Sequence, residues 1–529
     1  MKNFLLTGLS LTVAGAGIIQ AAPPAKKPNI LYIMSDDHAY QAVGAYGYGL
    51  NQTPNIDRIA CEGMRFNNCF VTNSLSGPSR AVILTGKFSH KNGFCDNDEK
   101  TVFDDSQQTL PKLLQAAGYH TGIVGKWHLK STPAGFDYYS VHYDQGEYYN
   151  PDFMEIGEKR VHYEGYATDL TADNAIEFLR DSEKEKPFFL MMHFKAPHRN
   201  WMPAPNKLSM YEDVTFPVPV TFYDNYEGRI AAQQQQMSID KDMTIGIDLK
   251  TYGPWDTSQP WEFKRMTLEQ KAIWDKVYNP IIENFSRKQP QGKELTEWKF
   301  QRYMRDYLKC ISSIDDNVGR VLDYLKQMDE LDNTIIIYTS DQGFYLGEHG
   351  WFDKRFMYEE SLKTPFVVRY PQVIKFNGAT DVLIQNLDFA PTLLDLAGLP
   401  VPDDMQGESF KAVLTGDKQT AKEALYYHYY EFPMPHAVKK HYGIRTDRYK
   451  LIHFYNDIDE WELFDLKNDP NELHNLINDP GQAGNIKTLK EKLTGLQVKY
   501  DDTNPTSEAY LNEQLHFWEK YTSEKGQKE

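Results

Sequence analysis

The chain has 529 residues, 41% hydrophobic and 25% charged. These proportions belong to folded globular proteins and exclude a disordered chain, a collagen and a disulfide-stapled miniprotein. Lys and Arg number 57 against 74 Asp and Glu, a formal net charge of −17, which excludes nucleic acid as a general partner because that contact rests on a basic face. Any anionic ligand therefore needs a locally positive pocket. The 34 tyrosines suit a large core and also sugar-binding loops.

In chain order, residues 1–22 read as a cleaved secretory signal. Lys2 gives a short positive start, a Gly/Ala-rich apolar stretch follows, and Ala21 and Ala22 precede Pro23 and Pro24. No second long apolar run exists, so no membrane span is expected after cleavage. Export across the inner membrane, most simply to the periplasm, follows from this reading. No cysteine stands directly after the signal, so lipid anchoring there is not expected. Cys61, Cys69, Cys95 and Cys310 match no zinc spacing. Cys61 and Cys69 are open either to pairing or to burial as free thiols.

Continuous apolar runs at Asn29–Met34, Thr121–Val124, Pro187–Phe194, Thr334–Thr339 and Pro365–Val368 predict parallel strands covered on both faces. Between Tyr303 and Met328 the apolar residues Tyr307, Ile311, Ile314, Val318, Val321, Leu322 and Leu325 recur at helical spacing. Alternating strands and helices make this an α/β domain, spanning 28–420. Residues 199–296, rich in Pro, Gln and Trp, read as insertion loops with some helix over the active face. From about Ala424 the pattern alternates between short polar turns, which predicts a small antiparallel sheet within 421–529. Ile486, Leu489, Leu493 and Leu496 predict a closing helix at about Gly484–Tyr500.

The chemistry concentrates at predicted strand ends. Asp36 and Asp37 follow the first strand in MSDDH, and Asp341 and Gln342 follow another in YTSDQG. Ligands of open α/β sheets bind beyond the carboxyl ends of strands. Three carboxylates and an amide oxygen there suit a hard cation, Ca²⁺ or Mg²⁺. A single strand-end Asp would read as a helix cap; two such ends favour metal.

Ser76-Gly77-Pro78-Ser79-Arg80, followed by Leu84-Thr85-Gly86, then GKWH at 125–128, Pro197-His198, SDQG at 340–343 and Lys354 before YEES, occur in one order. In that order they resemble the type I sulfatases, over most of the chain. The resemblance implies an alkaline-phosphatase-like fold: a large mixed, mostly parallel sheet sandwiched by helices, with a smaller C-terminal domain of an antiparallel sheet and a helix. It implies oxidation of Ser76 to formylglycine by a radical maturase, and metal ligation by Asp36, Asp37, Ser76, Asp341 and Gln342, with Ca²⁺ ahead of Mg²⁺. Hydrated formylglycine carries two hydroxyls on one carbon: one attacks sulfur, and deprotonation of the other ejects sulfate. An unmodified serine lacks that second step. By the same resemblance Arg80 holds the formylglycine, Lys126 and Lys354 bind the sulfate, His128 is the base and His198 protonates the leaving oxygen.

The stretch GFYLGEHGWFDKRFMYEESLKTPF resembles glycan-acting members, notably N-acetylglucosamine-6-sulfatases. Asp353 and Arg355 would then read sugar hydroxyls, the alternative being a structural ion pair, and His436 and Tyr442 are candidates to complete the pocket. The expected partner is a sulfated glycan or glycosaminoglycan fragment, cleaved in an exo manner. Other sulfated sugars, a phosphoester hydrolase of the same superfamily and a non-catalytic glycan binder remain as alternatives.

Overall fold

A computed structural model of the chain describes residues 26–182, 186–417 and 422–503; the expected signal and the 420/421 boundary lie outside the described residues. Five strands form the centre of a ten-stranded sheet and its first flank: β1 (Asn29–Ser35), β2 (His120–Gly125), β3 (Phe188–His193), β4 (Thr334–Ser340) and β5 (Phe366–Arg369). Their spatial order is β5-β4-β1-β3-β2, extended by two strands beyond β5 and three beyond β2. β4, β1, β3 and β2 run parallel.

Why these runs are unbroken is visible in their burial. Leu31 and Ile33 of β1 enter one core, while Ile30, Tyr32 and Met34 enter the other. Ile336 and Tyr338 of β4 divide from Ile335 and Ile337 in the same way. Each such side chain contributes roughly 1.5–3 kcal/mol on full burial. One core packs against α2 (Ala167–Asp181) and the 36-residue α4 (Gly292–Gln327), and the other receives Ala81, Ile83 and Leu84 of α1 (Ser76–Thr85).

Two expectations are corrected. β5 pairs antiparallel with β4, because residues 341–365 stay on the carboxyl edge of the sheet and re-enter from that edge. Burial on both faces gives an apolar run in either direction, so composition does not report orientation. The long helix also begins at Gly292, eleven residues before Tyr303. Its first turns are mostly polar and pack through few residues: Phe300 meets Phe222 at 5.1 Å and Trp298 meets Phe285 at 4.5 Å between ring centres. Phe285 belongs to α3 (Leu268–Lys288), the longest helix lying wholly within the 199–296 insertion.

The C-terminal sheet is antiparallel, in the order β6 (Ala424–Tyr429), β7 (His441–Thr446), β8 (Tyr449–Phe454) and β9 (Glu460–Asp465), followed by α5 (Ala483–Lys499). One face packs on Leu489 and Leu493 of α5. The other packs on Trp351, Phe356 and Tyr358, which flank Lys354. All four cysteines are free thiols. Among the described residues no helix is long and apolar enough to cross a membrane.

Candidate active site

β1 and β4 lie in register, Ser35 opposite Ser340, so Asp36-Asp37 and Asp341-Gln342 leave the sheet side by side. All four are fully buried. The Asp37 backbone N–H donates to Asp341 Oδ1 at 3.1 Å, and the Gln342 amide donates to Asp37. Asp37 sits at φ 66°, a left-handed conformation held at a cost of about 1–3 kcal/mol by these surroundings.

Ser76 is the first residue of α1, whose N-terminus carries partial positive charge. Its hydroxyl donates to Asp36 Oδ1 at 2.9 Å. Gly77 leaves no room for a side chain, since a Cβ would lie 2.5 Å from the Phe94 ring and 2.6 Å from Asn97 Oδ1. One turn on, Arg80 donates to Asp341 Oδ2 and to the Lys126 carbonyl, both at 2.9 Å, and lies 3.9 Å from Asp36.

These oxygens form a donor set for a hard divalent cation. Burial pushes Asp37 up to about 7, with Asp36, Asp341 and Asp353 adding to the rise and Lys354 opposing it. Asp341 rises to about 6 for the same first reason. Burial would also raise Asp36, but Lys126, His198, Arg80 and Lys354 outweigh it and hold Asp36 well below the usual carboxylate range. Gln342 Oε1 is buried with no hydrogen-bond partner. A crowded carboxylate group with an unsatisfied amide oxygen fits a Ca²⁺ or Mg²⁺ ion. Ligand atoms of Asp36, Asp37 and His198 all fall within 4.8 Å of one another.

Two buried ammonium groups face these carboxylates. Lys354 Nζ reaches both Asp37 oxygens at 2.7 and 2.8 Å, and Lys126 Nζ contacts Asp36. Burial lowers Lys126 to about 8, against the pull of Asp36. Burial, then Lys126, holds His128 and His198 well below the ordinary histidine value, so both are neutral. His198 Nε2 is 3.9 Å from Asp37. Gln145 joins two of these groups: its Oε1 accepts from Lys126 at 2.6 Å, and its Nε2 donates to His128 Nε2 at 2.7 Å. Because the amide oxygen is taken by an obligate donor, the His128 Nε2 must be the acceptor.

The residues open into a cavity of about 630 Å³ that Ser76, His128, Gln145, His198 and Lys354 line. Asp353 and Arg355 line its outer side, at φ 81° and 96°. They do form an ion pair, at 2.9 Å, and both still face the cavity. Arg355 also contacts Glu431 and the Tyr429 hydroxyl, while His436 Nε2 is 3.2 Å from Asp353 Oδ2. Burial would raise Asp353, but Arg355 and His436 hold it well below the usual range. The C-terminal sheet supports this strap: the Tyr427 hydroxyl donates to the Arg355 carbonyl at 2.7 Å. Tyr442 does not reach the cavity. It packs with Leu489 and Leu493 and bonds His453 at 2.8 Å, because strand alternation turns it to the α5 face.

Gln145, Glu431 and His193 escaped the sequence reading. His193 ends β3 and lies 3.2 Å from Arg80; its position after an apolar run was a usable signal. Gln145 and Glu431 lie in loops without motif context. The backbone of Gln236, at the end of the Gln run, meets His436 twice: its N–H donates to the His436 carbonyl at 2.7 Å and its carbonyl accepts from His436 Nδ1 at 2.6 Å. Arg199 lines the same cavity with its guanidinium held by Asp248 of the insertion at 2.6 and 2.8 Å.

Comparison with known proteins agrees with this geometry. Residues 28–399 match the sulfatase family, and 347–499 match the N-sulphoglucosamine sulphohydrolase C-terminal family. The chain is 51% identical over 514 residues to an N-acetylglucosamine-6-O-sulfatase of Bacteroides thetaiotaomicron, covering 94% of this chain and 92% of the relative. It is 28% identical to the human N-acetylglucosamine-6-sulfatase over 434 residues, 77% of this chain and 68% of that protein. A solved structure in complex with its substrate D-glucosamine-2-N,6-O-disulfate aligns at TM-score 0.89 and 51% identity, covering 91% of this chain and all of that one. The chain belongs to the sulfatase family, with the alkaline-phosphatase-like fold of a sulfuric ester hydrolase.

Proposed function

We propose that the protein is an exo-acting glycan sulfatase that hydrolyses the 6-O-sulfate of N-acetylglucosamine or a related glucosamine. The observation that carries this is Ser76, buried at a helix N-terminus and bonded to Asp36, in one cavity with Lys354, His128 and His198. The 51% identity to a 6-O-sulfatase over nearly the whole chain supports the sugar and the position.

In this reading Ser76 is oxidised to formylglycine, and Asp36, Asp37, Asp341, Gln342 and the modified residue 76 hold the ion, most simply Ca²⁺. When bound, the ion supplies positive charge that favours an oxyanion at residue 76. Arg80 fixes Asp341 and the Lys126 carbonyl, so it sets the position of both walls. Lys126 and Lys354 donate to the sulfate oxygens, each charge-assisted bond being worth about 1.5–3 kcal/mol. His128, neutral and oriented by Gln145, accepts a proton. An entering sulfate ester brings negative charge to His198 and moves it toward the protonated state that its acid role requires. Asp353 and Arg355 contact ring hydroxyls, with His436 completing that side. Residues 1–22 serve as an export signal to the periplasm, and a radical maturase is the modifying partner.

The test is sulfate release from 6-, 3-, 4- and 2-sulfated monosaccharides, using enzyme in which mass spectrometry shows Ser76 oxidised. Release from 6-sulfated N-acetylglucosamine is expected. Release from another position alone would overturn the sugar assignment and keep the chemistry. No release from any would return the site to the phosphoester alternative.

A further inference from the structure

The cavity has two electrical halves. Around Ser76, the cations Arg80, Lys126 and Lys354 face the carboxylates of Asp36, Asp37 and Asp341, and a bound divalent ion would make that half net positive. The outer half is different. There the Arg355 guanidinium stands between two carboxylates, Asp353 at 2.9 Å and Glu431. Both Glu431 oxygens are engaged: Oε1 accepts from the Asn97 backbone at 3.2 Å and Oε2 accepts from Arg355. Arg199, the other guanidinium on this side, is consumed by Asp248. The neighbouring 96–100 loop adds Asp96, Asp98 and Glu99 against Lys100. Every guanidinium that could receive an anion is thus already matched or over-matched by carboxylate.

A ring whose 6-sulfate sits between the two lysines must place its remaining hydroxyls against this acidic half. We propose that Glu431 is a specificity-determining residue: by over-neutralising Arg355 it restricts the outer half to uncharged hydroxyls and turns away a ring that carries a second sulfate there. The inference rests on the 6-sulfatase reading and deepens it. Like charges juxtaposed at close range cost enough to separate substrates by a factor of ten or more. Glu431 acts through Arg355 as well, since its carboxylate ties that side chain to Asn97, whose own Oδ1 accepts from the Gly77 backbone beside Ser76 at 3.2 Å.

The experiment compares 6-sulfate release from N-acetylglucosamine 6-sulfate, 3,6-disulfate and 4,6-disulfate. The wild type is expected to favour the 6-sulfate over at least one disulfate by about tenfold or more in kcat/KM. Glu431→Gln, close in shape but uncharged, narrows that ratio mainly through KM of the disulfate, while Glu431→Asp keeps it. The wild-type comparison stands without any variant, so the inference is exposed even where Glu431→Gln fails to fold. Equal use of all three substrates by the wild type overturns it, as does an unchanged ratio in a folded Glu431→Gln. No turnover of the 6-sulfate by wild type with oxidised Ser76 overturns the parent reading instead, and this inference with it.

Discussion

Replacing Lys354 by Ala tests the site most directly. The ammonium lies 2.7 and 2.8 Å from the two oxygens of a fully buried Asp37. A unit-charge pair about 4 Å apart at an effective dielectric of 20 is worth about 4 kcal/mol. Breaking a buried pair leaves an uncompensated charge and costs roughly 3–5 kcal/mol. The calcium-free variant should therefore melt below the calcium-free wild type. Ca²⁺ then supplies the missing positive charge beside Asp37, so the calcium-induced rise in Tm should be larger in the variant. Turnover should not return with calcium, because the sulfate has lost a donor aimed at its developing charge, a loss of about 10²–10³-fold in kcat. Differential scanning fluorimetry with and without a chelator, run beside sulfate release by ion chromatography, reads both quantities. A variant with turnover within tenfold of wild type, or with the same calcium response, would refute the reasoning.

Gln145→Ala removes the link between Lys126 and His128 without touching the metal set. A fall of about 10–100-fold in kcat with little change in Tm is expected, since part of a general base's contribution of 10²–10⁴ is lost; unchanged kcat would deny Gln145 its orienting role. Gly125→Ala places a Cβ 1.9 Å from the His193 carbonyl at a residue with φ 88°. The strands β2 and β3 must then part beside Lys126, costing about 1–3 kcal/mol or more, seen as a lower Tm and weaker turnover together. Glu462 gives a pH signature. Burial raises it from 4.5 to about 8, so the folded state keeps a proton that the unfolded chain releases. This contribution to stability is fully present below pH 4.5 and falls as pH climbs toward 8, by up to about 5 kcal/mol. Glu462→Gln should flatten that slope in melts across pH 5–8; an unaltered slope would place the titration elsewhere.

Much of this arrangement was legible from the sequence because it is local. A buried strand with both faces covered is an apolar run, and the residue after it stands at the sheet's carboxyl edge. Hence Asp36, Asp37, Asp341 and Gln342 could be placed together from the sequence alone. Lys354 was readable for another reason, its place before YEES in the ordered motifs that resemble the sulfatases. What remained hidden depends on contacts far apart in the chain. Glu431 meets Arg355 across 76 residues and Gln236 meets His436 across 200, and neither loop carries a pattern that announces its partner. The direction of β5 was hidden differently: period-two burial is identical for parallel and antiparallel neighbours.

The same geometry explains how a chain of charge −17 can take an anion. Bulk charge acts through screened distances of about 8–10 Å, whereas Lys126, Lys354 and Arg80 act within a buried site where screening is weak. All three are 95% or more buried, and for the two lysines burial alone would disfavour the charged form. The carboxylates that crowd the same space keep the two ammonium groups charged, as the pull of Asp36 on Lys126 and of Asp37 on Lys354 shows. The acidic residues therefore do two jobs at once. Inside, they hold cations in place, where the proposed reaction puts the sulfate; outside, around Asp353 and Glu431, they leave the wall proposed for the sugar without a surplus of positive charge. On the proposed reading, a second sulfate beside Asp353 and Glu431 meets that acidic side, and the ratio of disulfate to 6-sulfate turnover is where the division becomes measurable.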